Sequence, residues 1–95
     1  MKQPAVYIIT NTSHSVIYIG VTSNLPQRMY QHRQKLIDGF SSKYNLVKLV
    51  YFEAFDDMVN AITREKQLKK WSRSWKDELI GRLNPEWRDL YDDIL

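Results

Sequence analysis

The sequence contains no cysteine, and only three of its 95 residues are glycine and three are proline. Without cysteine there is no disulfide bond, no cysteine-ligated zinc cluster and no thiol nucleophile. No apolar run approaches the roughly 20 residues that a membrane-spanning helix requires. Residues 1–4 also lack the apolar region and cleavage site of a signal peptide. We therefore expect a single small domain over residues 1–95, cytoplasmic and without a membrane partner.

Charge is distributed unevenly along the chain, although the net charge is only +3. Residues 24–48 carry five basic and one acidic side chain, and residues 63–76 carry six basic and one acidic side chain. Residues 77–95 reverse the balance, with two basic and six acidic side chains. This segregation predicts either a basic face for a polyanion or merely the solvated faces of lysine-rich helices.

Three segments rich in β-branched and aromatic residues predict strands, at residues 5–10, 16–21 and 47–55. The first two are joined by a short polar segment and read as a hairpin. If its turn is centred between Thr12 and Ser13, Tyr7 lies opposite Tyr18.

Helices are predicted from capping residues and apolar spacing. Asn24 is a good N-cap for a helix that should run to about Ile37 and end at Gly39. Its inward stripe would comprise Leu25, Met29, His32 and Leu36. Asp56 or Asp57 should cap a second helix, whose stripe comprises Met58, Ala61, Ile62, Glu65 and Leu68.

A third helix should begin at Ser72 or Ser74, bury Trp75, Leu79 and Leu83, and stop before Pro85. A last short helical turn is expected around residues 87–91. The predicted fold class is therefore α+β, a small three-stranded antiparallel sheet flanked by three to four helices.

Polar residues on the predicted inward faces need an explanation. Glu65 lies on an apolar helical stripe, where a buried carboxylate must be paired, protonated or bound to a metal. It could equally form a salt bridge with Lys69, one turn later. His32 could be a satisfied core histidine, Arg28 a long amphipathic side chain and the two strand tyrosines a packing pair.

Taken in order, these residues resemble the GIY-YIG nuclease superfamily. Ala5-Val6-Tyr7 and Tyr18-Ile19-Gly20 match its two signatures, and the tyrosines stand 11 residues apart as in its hairpin. Arg28, His32 and Glu65 follow at the positions of its helix motif and its metal-binding glutamate. The chain looks most similar to short stand-alone bacterial members related to the N-terminal nuclease domain of the bacterial excinuclease. Ala5 replaces the first glycine of the signature, and Val6 its isoleucine.

The resemblance implies a metal-dependent endonuclease that hydrolyses DNA with low sequence specificity, acting in repair or recombination. A preference for branched, nicked or single-stranded DNA stays open, as does RNA as substrate. Glu65 would hold one Mg²⁺ or Mn²⁺ ion, and we expect a monomer. The implied catalytic residues are Tyr7, Tyr18, Arg28 and His32; the implied nucleic-acid contacts are Gly20, Lys43, Lys66, Lys69 and Lys70, with Asn84 in support.

Two alternatives compete with this interpretation. In one, the domain binds nucleic acid, or serves as an adaptor, without turnover. In the other, Arg28 and Glu65 form a structural pair in the core, and Trp71, Trp75 and Trp87 form an interface with a partner.

Overall fold

Three antiparallel strands form the centre of the computed structural model, which describes residues 3–37 and 39–95. They are β1 (Ala5–Thr10), β2 (Ile17–Thr22) and β3 (Lys48–Ala54), in the spatial order β2-β1-β3. Every residue of β1 is buried, since this strand has a neighbour on each side and helices on both faces. The predicted α+β fold class is confirmed.

The hairpin register differs from the one that would pair the two tyrosines. Tyr7 pairs with Gly20, and Tyr18 pairs with Ile9. The turn is centred between Ser13 and His14, one residue beyond the centre that would place the two tyrosines directly opposite one another, a register that the sequence alone left open. An offset of two residues preserves the face of each side chain, so Tyr7 and Tyr18 are diagonal neighbours on the same side of the sheet.

β3 contains an irregularity that the C-terminal segment covers. Ile8 pairs with Tyr51 and Ile9 with Leu49, so one extra residue, Val50, bulges from β3. The side-chain amide of Asn84 donates to the Val50 carbonyl at 3.0 Å. The backbone groups of Leu49 are also paired, because its N–H donates to the Asp89 carboxylate at 3.2 Å and its carbonyl accepts from the Leu90 N–H at 2.8 Å.

Five helical segments surround the sheet in the described part of the chain. They are α1 (Leu25–Arg33), α2 (Phe40–Lys43), α3 (Met58–Lys69), α4 (Arg73–Leu83) and a 3₁₀ turn (Tyr91–Ile94). The N-caps are Asn24, Asp57 and Ser72, and each side chain accepts from the backbone N–H three residues later. The predicted starts of these helices are confirmed, whereas the last turn begins later than expected.

α1 ends earlier than predicted, at Arg33 instead of about Ile37. Lys35 adopts a left-handed conformation with φ of 56°. The N–H groups of Lys35 and Leu36 then donate to carbonyls of the last turn at 3.1 and 2.9 Å, which is a Schellman motif. Leu36 is consequently exposed, and Gly39 precedes α2 instead of closing α1.

α4 packs through a different face from the predicted one. Ile80 is fully buried, whereas Trp75 and Leu83 are mostly exposed and Leu79 is half-buried. The predicted stripe is centred on Leu79, and Ile80 lies about 100° further around the helix axis. The face that packs on the sheet is therefore turned by one residue from the predicted face.

The sheet is covered on both faces. One apolar cluster lies under α3 and α4 and comprises Val6, Ile8, Ile19, Val50, Tyr51, Ala61, Leu68 and Ile80. The other lies under α1 and comprises Ala5, Tyr7, Ile9, Leu25, Met29, Leu46 and Leu49. Within residues 3–37 and 39–95, no helix combines the length and apolarity needed to cross a bilayer.

Candidate active site

A chain of buried hydrogen bonds joins Tyr7, His32 and Ser41. The Tyr7 hydroxyl lies 2.9 Å from His32 Nε2, and His32 Nδ1 lies 3.0 Å from Ser41 Oγ. The three residues are only 2%, 4% and 7% exposed. Both ring nitrogens of His32 are thus occupied, which fixes the plane of the imidazole against the phenol of Tyr7.

Three separate elements position this chain of hydrogen bonds. Tyr7 stands on the central strand β1, and His32 lies in the last turn of α1, directly before the Schellman motif. Gly39, with φ of 115°, then leads into α2, whose second residue is Ser41. The spacing of α1 predicted that His32 is buried. Ser41 was missed, because a serine after a glycine in a polar loop gives no signal in the sequence.

Gly20 provides the space that the Tyr7 ring occupies. A Cβ atom at Gly20 would overlap the end of that ring, coming within 2.8 Å of Tyr7 Cε1. A glycine within a strand is typical of a close approach by a neighbouring group, and here that neighbour is the catalytic candidate Tyr7.

Burial raises the pKa of the Tyr7 hydroxyl well above its usual value, more than the nearby Arg28 guanidinium lowers it. Burial also lowers the pKa of His32 to about 4, with a further lowering by Arg28. At neutral pH both groups are consequently uncharged, a neutral phenol facing a neutral imidazole.

Arg28 and Glu65 carry opposite charges and shift the pKa of the Tyr7 hydroxyl in opposite directions. Arg28 lowers the pKa of Tyr7, whereas the Glu65 carboxylate contributes to raising it. Arg28 forms no ion pair with any carboxylate of residues 3–37 and 39–95. Glu65 instead pairs with Lys69 at 3.3 Å, so the proposed structural pair between Arg28 and Glu65 is absent from the described residues.

Glu65 suits a cation that needs few protein ligands. Its side chain is 14% exposed, so it reaches solvent without being fully hydrated. In the part of the chain that the structure describes, no group of three or more histidine, aspartate or glutamate side chains could hold a metal ion. Mg²⁺ commonly uses one or two carboxylates and takes its other ligands from water and phosphate, so a single carboxylate fits this ion.

The lysines expected to contact nucleic acid lie in three places. Lys69 lies between Glu65 and the ring of Tyr18, whose centroid is 5.7 Å from its Nζ. Lys43 lies over the ring of Tyr44 in the segment after α2. Lys66 and Lys70 line a separate shallow groove on α3 beside Trp71.

The side chain of Asn84 forms hydrogen bonds with backbone groups of neighbouring residues. Its amide donates to the carbonyls of Val50 and Arg88, and its carbonyl oxygen accepts from the Arg88 N–H at 3.0 Å. These contacts account for its burial by folding alone, and its support of a catalytic site stays a prediction.

Comparison with protein families identifies the chain. A family model described as the GIY-YIG catalytic domain matches residues 3–78. The chain belongs to the GIY-YIG family. This GIY-YIG chain therefore has a nuclease-type fold, and its family points to interaction with nucleic acid in general. Ala5, which replaces the first glycine of the signature, is buried in the cluster beneath α1.

Relatives of this GIY-YIG chain are named only as UPF0213 proteins. One from Syntrophus aciditrophicus is 36% identical over 87 residues, covering 90% of this chain and 98% of the relative. One from Clostridium perfringens is 39% identical over 80 residues, covering 80% and 81%. The solution NMR structure of a UPF0213 protein from Bacillus halodurans has a TM-score of 0.58 at 24% identity and covers 94% and 93% of the two chains, which shows a shared fold.

Proposed function

We propose that this protein is a metal-dependent endonuclease that hydrolyses DNA phosphodiester bonds with low sequence specificity. The observation that carries the proposal is the buried Tyr7–His32–Ser41 chain, with Arg28 and Glu65 acting electrostatically on its first member. An arginine and a carboxylate beside buried, hydrogen-bonded proton carriers suit a reaction in which charge develops on phosphate oxygens.

Each side chain has a role that follows from its position. Arg28 would clamp the scissile phosphate, since a guanidinium fork matches two phosphate oxygens. Tyr7 would orient the attacking water through its hydroxyl oxygen. His32, whose Nδ1–H would stay hydrogen-bonded to Ser41 Oγ, would receive the Tyr7 proton at Nε2, and the Tyr7 phenolate would in turn accept a proton from the attacking water.

Loss of the Tyr7 proton would be favoured by a second positive charge that lies closer to Tyr7 than to His32, because a cation also lowers the pKa of His32. A raised pKa at Tyr7 and a lowered pKa at His32 both oppose the proton transfer. Glu65 would hold a divalent cation, which supplies charge stabilisation to the phosphate and the departing oxygen when it is bound. Arg28 already lowers the pKa of Tyr7, so a second positive charge nearby would act in the same direction.

The same pKa shifts favour one competing function. A phenol that is hard to deprotonate and an imidazole that is hard to protonate describe a site that binds phosphate without turnover. The alternative is therefore a nucleic-acid-binding module or adaptor of this fold, with Arg28 and the lysines retained for phosphate contact.

The decisive test is cleavage of end-labelled branched, nicked, single-stranded and duplex DNA, and of RNA, with Mg²⁺, Mn²⁺ or EDTA. Wild type should cut only with a divalent cation. Glu65→Gln should reduce the rate by about 10²–10³-fold, since it removes a group that stabilises developing charge through the cation.

Glu78→Gln is the matched control. Glu78 forms the same kind of i, i+4 pair, with Arg82 on α4 at 3.4 Å. Glu78 is 66% exposed, so its pair should contribute only about 0.3–0.5 kcal/mol, whereas Glu65 is 14% exposed and its replacement can cost more. Circular dichroism at the assay temperature shows whether each variant is folded. If folded wild type cuts no substrate but binds DNA in a salt-dependent way, the binding module replaces the nuclease.

A further inference from the structure

A row of three aromatic rings leads away from the candidate active site. The Tyr18 ring lies 6.4 Å from the His32 ring, centroid to centroid. Phe40 follows at 6.2 Å from Tyr18, and Tyr44 at 4.7 Å from Phe40. We call Tyr18, Phe40 and Tyr44 the aromatic row.

The outer part of the aromatic row faces solvent. Phe40 is 49% exposed and Tyr44 is 41% exposed, and Phe40 belongs to neither apolar cluster of the described core. The two residues stand four apart, at the first position and the C-cap of α2, so the short helix places both rings on one side. Core packing does not account for this arrangement.

Lysines flank the aromatic row along its length. Lys69 Nζ lies 5.7 Å from the centre of the Tyr18 ring, and Lys43 Nζ lies 5.5 Å from that of Tyr44. Lys69 and Lys76 also line a shallow groove of about 370 Å³ together with Tyr18 and Phe40. No carboxylate is among the described residues that line this groove, although Lys69 also pairs with Glu65 at 3.3 Å. Lys76 and Lys43 have no such pair among the described residues.

We propose that the aromatic row is a stacking platform for unpaired bases of single-stranded DNA. Exposed rings interleaved with lysines are the combination that binds single strands, because bases stack on the rings while phosphates contact the cations. A duplex would not use the rings, since its base faces are covered by neighbouring base pairs. The lysines favour a polyanion over an apolar protein surface.

The position of the platform relative to the site gives the substrate class. Tyr18 lies beside Phe40 on one side and beside His32 on the other, so a strand stacked on Phe40 and Tyr44 passes next to Tyr7 and His32. Only this assignment of a substrate class depends on the proposed nuclease function; the binding of bases to the aromatic row does not. The preferred substrate would then have unpaired nucleotides adjacent to the bond that is cut.

Binding measured in EDTA tests the platform without any cleavage. The probes are a single-stranded DNA 12-mer and a 12-mer of the same charge whose sugars carry no bases. Wild type should bind the base-containing strand about 5- to 100-fold more tightly, the range expected for stacking of one base. Phe40→Ala and Tyr44→Ala should each bring the ratio of the two affinities, base-containing over abasic, close to one. The affinity for the abasic strand itself should not change.

Three further variants make the outcome specific. Phe40→Tyr should keep the ratio, whereas Phe40→Leu should lose it although it retains an apolar side chain. Tyr30→Ala removes an exposed tyrosine from α1 and should change neither affinity. Circular dichroism identifies variants that do not fold, and Tyr44→Ala lies beyond the helical residues of α2.

The results separate this inference from the nuclease proposal. Equal affinity of wild type for the two strands, or an unchanged ratio in folded Phe40→Ala and Tyr44→Ala, would overturn the platform even if DNA is cleaved. A base-dependent ratio that both variants abolish would support it even if no substrate is cleaved.

Discussion

The sheet separates two regions that bury different kinds of side chain. Under α3 and α4 the buried cluster is apolar apart from Tyr51, whose hydroxyl donates to Glu53 at 2.6 Å. Under α1 the buried residues include Tyr7, His32 and Ser41, joined through their polar atoms. An apolar cluster contributes stability by removing surface from water, whereas a buried polar chain contributes little net stability and strongly constrains geometry. The comparison indicates that the α3–α4 side contributes mainly apolar stability, whereas the α1 side also holds the buried polar chain of the candidate site, to which α3 adds Glu65.

The largest effect on stability should come from the apolar side. Ile80→Ala removes a fully buried side chain that packs against β3. We expect a loss of about 2–5 kcal/mol in the free energy of unfolding, measured by denaturant titration. The NMR signals of the His32 ring should not move, because the sheet lies between them. A shifted His32 resonance would show that the two sides are coupled.

Gly20→Ala should produce a smaller loss that is confined to the α1 side. The new methyl group would overlap the Tyr7 ring, and displacing that ring should cost about 1–3 kcal/mol of stability. It should also weaken the bond between Tyr7 and His32, seen as a changed His32 pKa by NMR. Gly81→Ala on α4 is the control, since nothing lies within 4 Å of a Cβ there. That variant should gain about 0.5–1 kcal/mol.

Acidification should destabilise the protein through His32 on the α1 side. The pKa of His32 is lowered to about 4 from its usual value of 6.5. The unfolded chain therefore binds more protons than the folded one between these pH values, and stability must fall as the pH decreases through this window. We expect a loss of about 1–3 kcal/mol, measured by urea unfolding from pH 7 to pH 4. His32→Gln should flatten this part of the curve; an equally steep curve in that variant would assign the loss to other groups.

Features that depend on neighbouring residues were predictable from the sequence. Asn24, Asp57 and Ser72 are all N-caps, because a cap needs only a short polar side chain beside a helical pattern. The burial of His32 also followed from helical spacing. The alternative that Glu65 pairs with Lys69 was likewise readable from their i, i+4 separation.

Features that depend on distant contacts were not predictable. The early end of α1 requires Lys35 in a left-handed conformation, which lysine rarely adopts, so the sequence pointed to Gly39 instead. Ser41 contacts His32 from a different helix, nine residues later in the chain, a contact that no local pattern indicates. The aromatic row was missed for the same reason, since Tyr18 and Phe40 stand on separate elements.

The bulge in β3 has a consequence for how the chain is made. Its outward backbone groups are paired by Asn84, Asp89 and Leu90, which lie beyond the residues that the family model matches. During synthesis this edge of the sheet stays open until residues 84–90 have left the ribosome. An open strand edge is a template for pairing with other chains. The C-terminal segment therefore covers part of a strand edge that would otherwise be open to pairing with other chains.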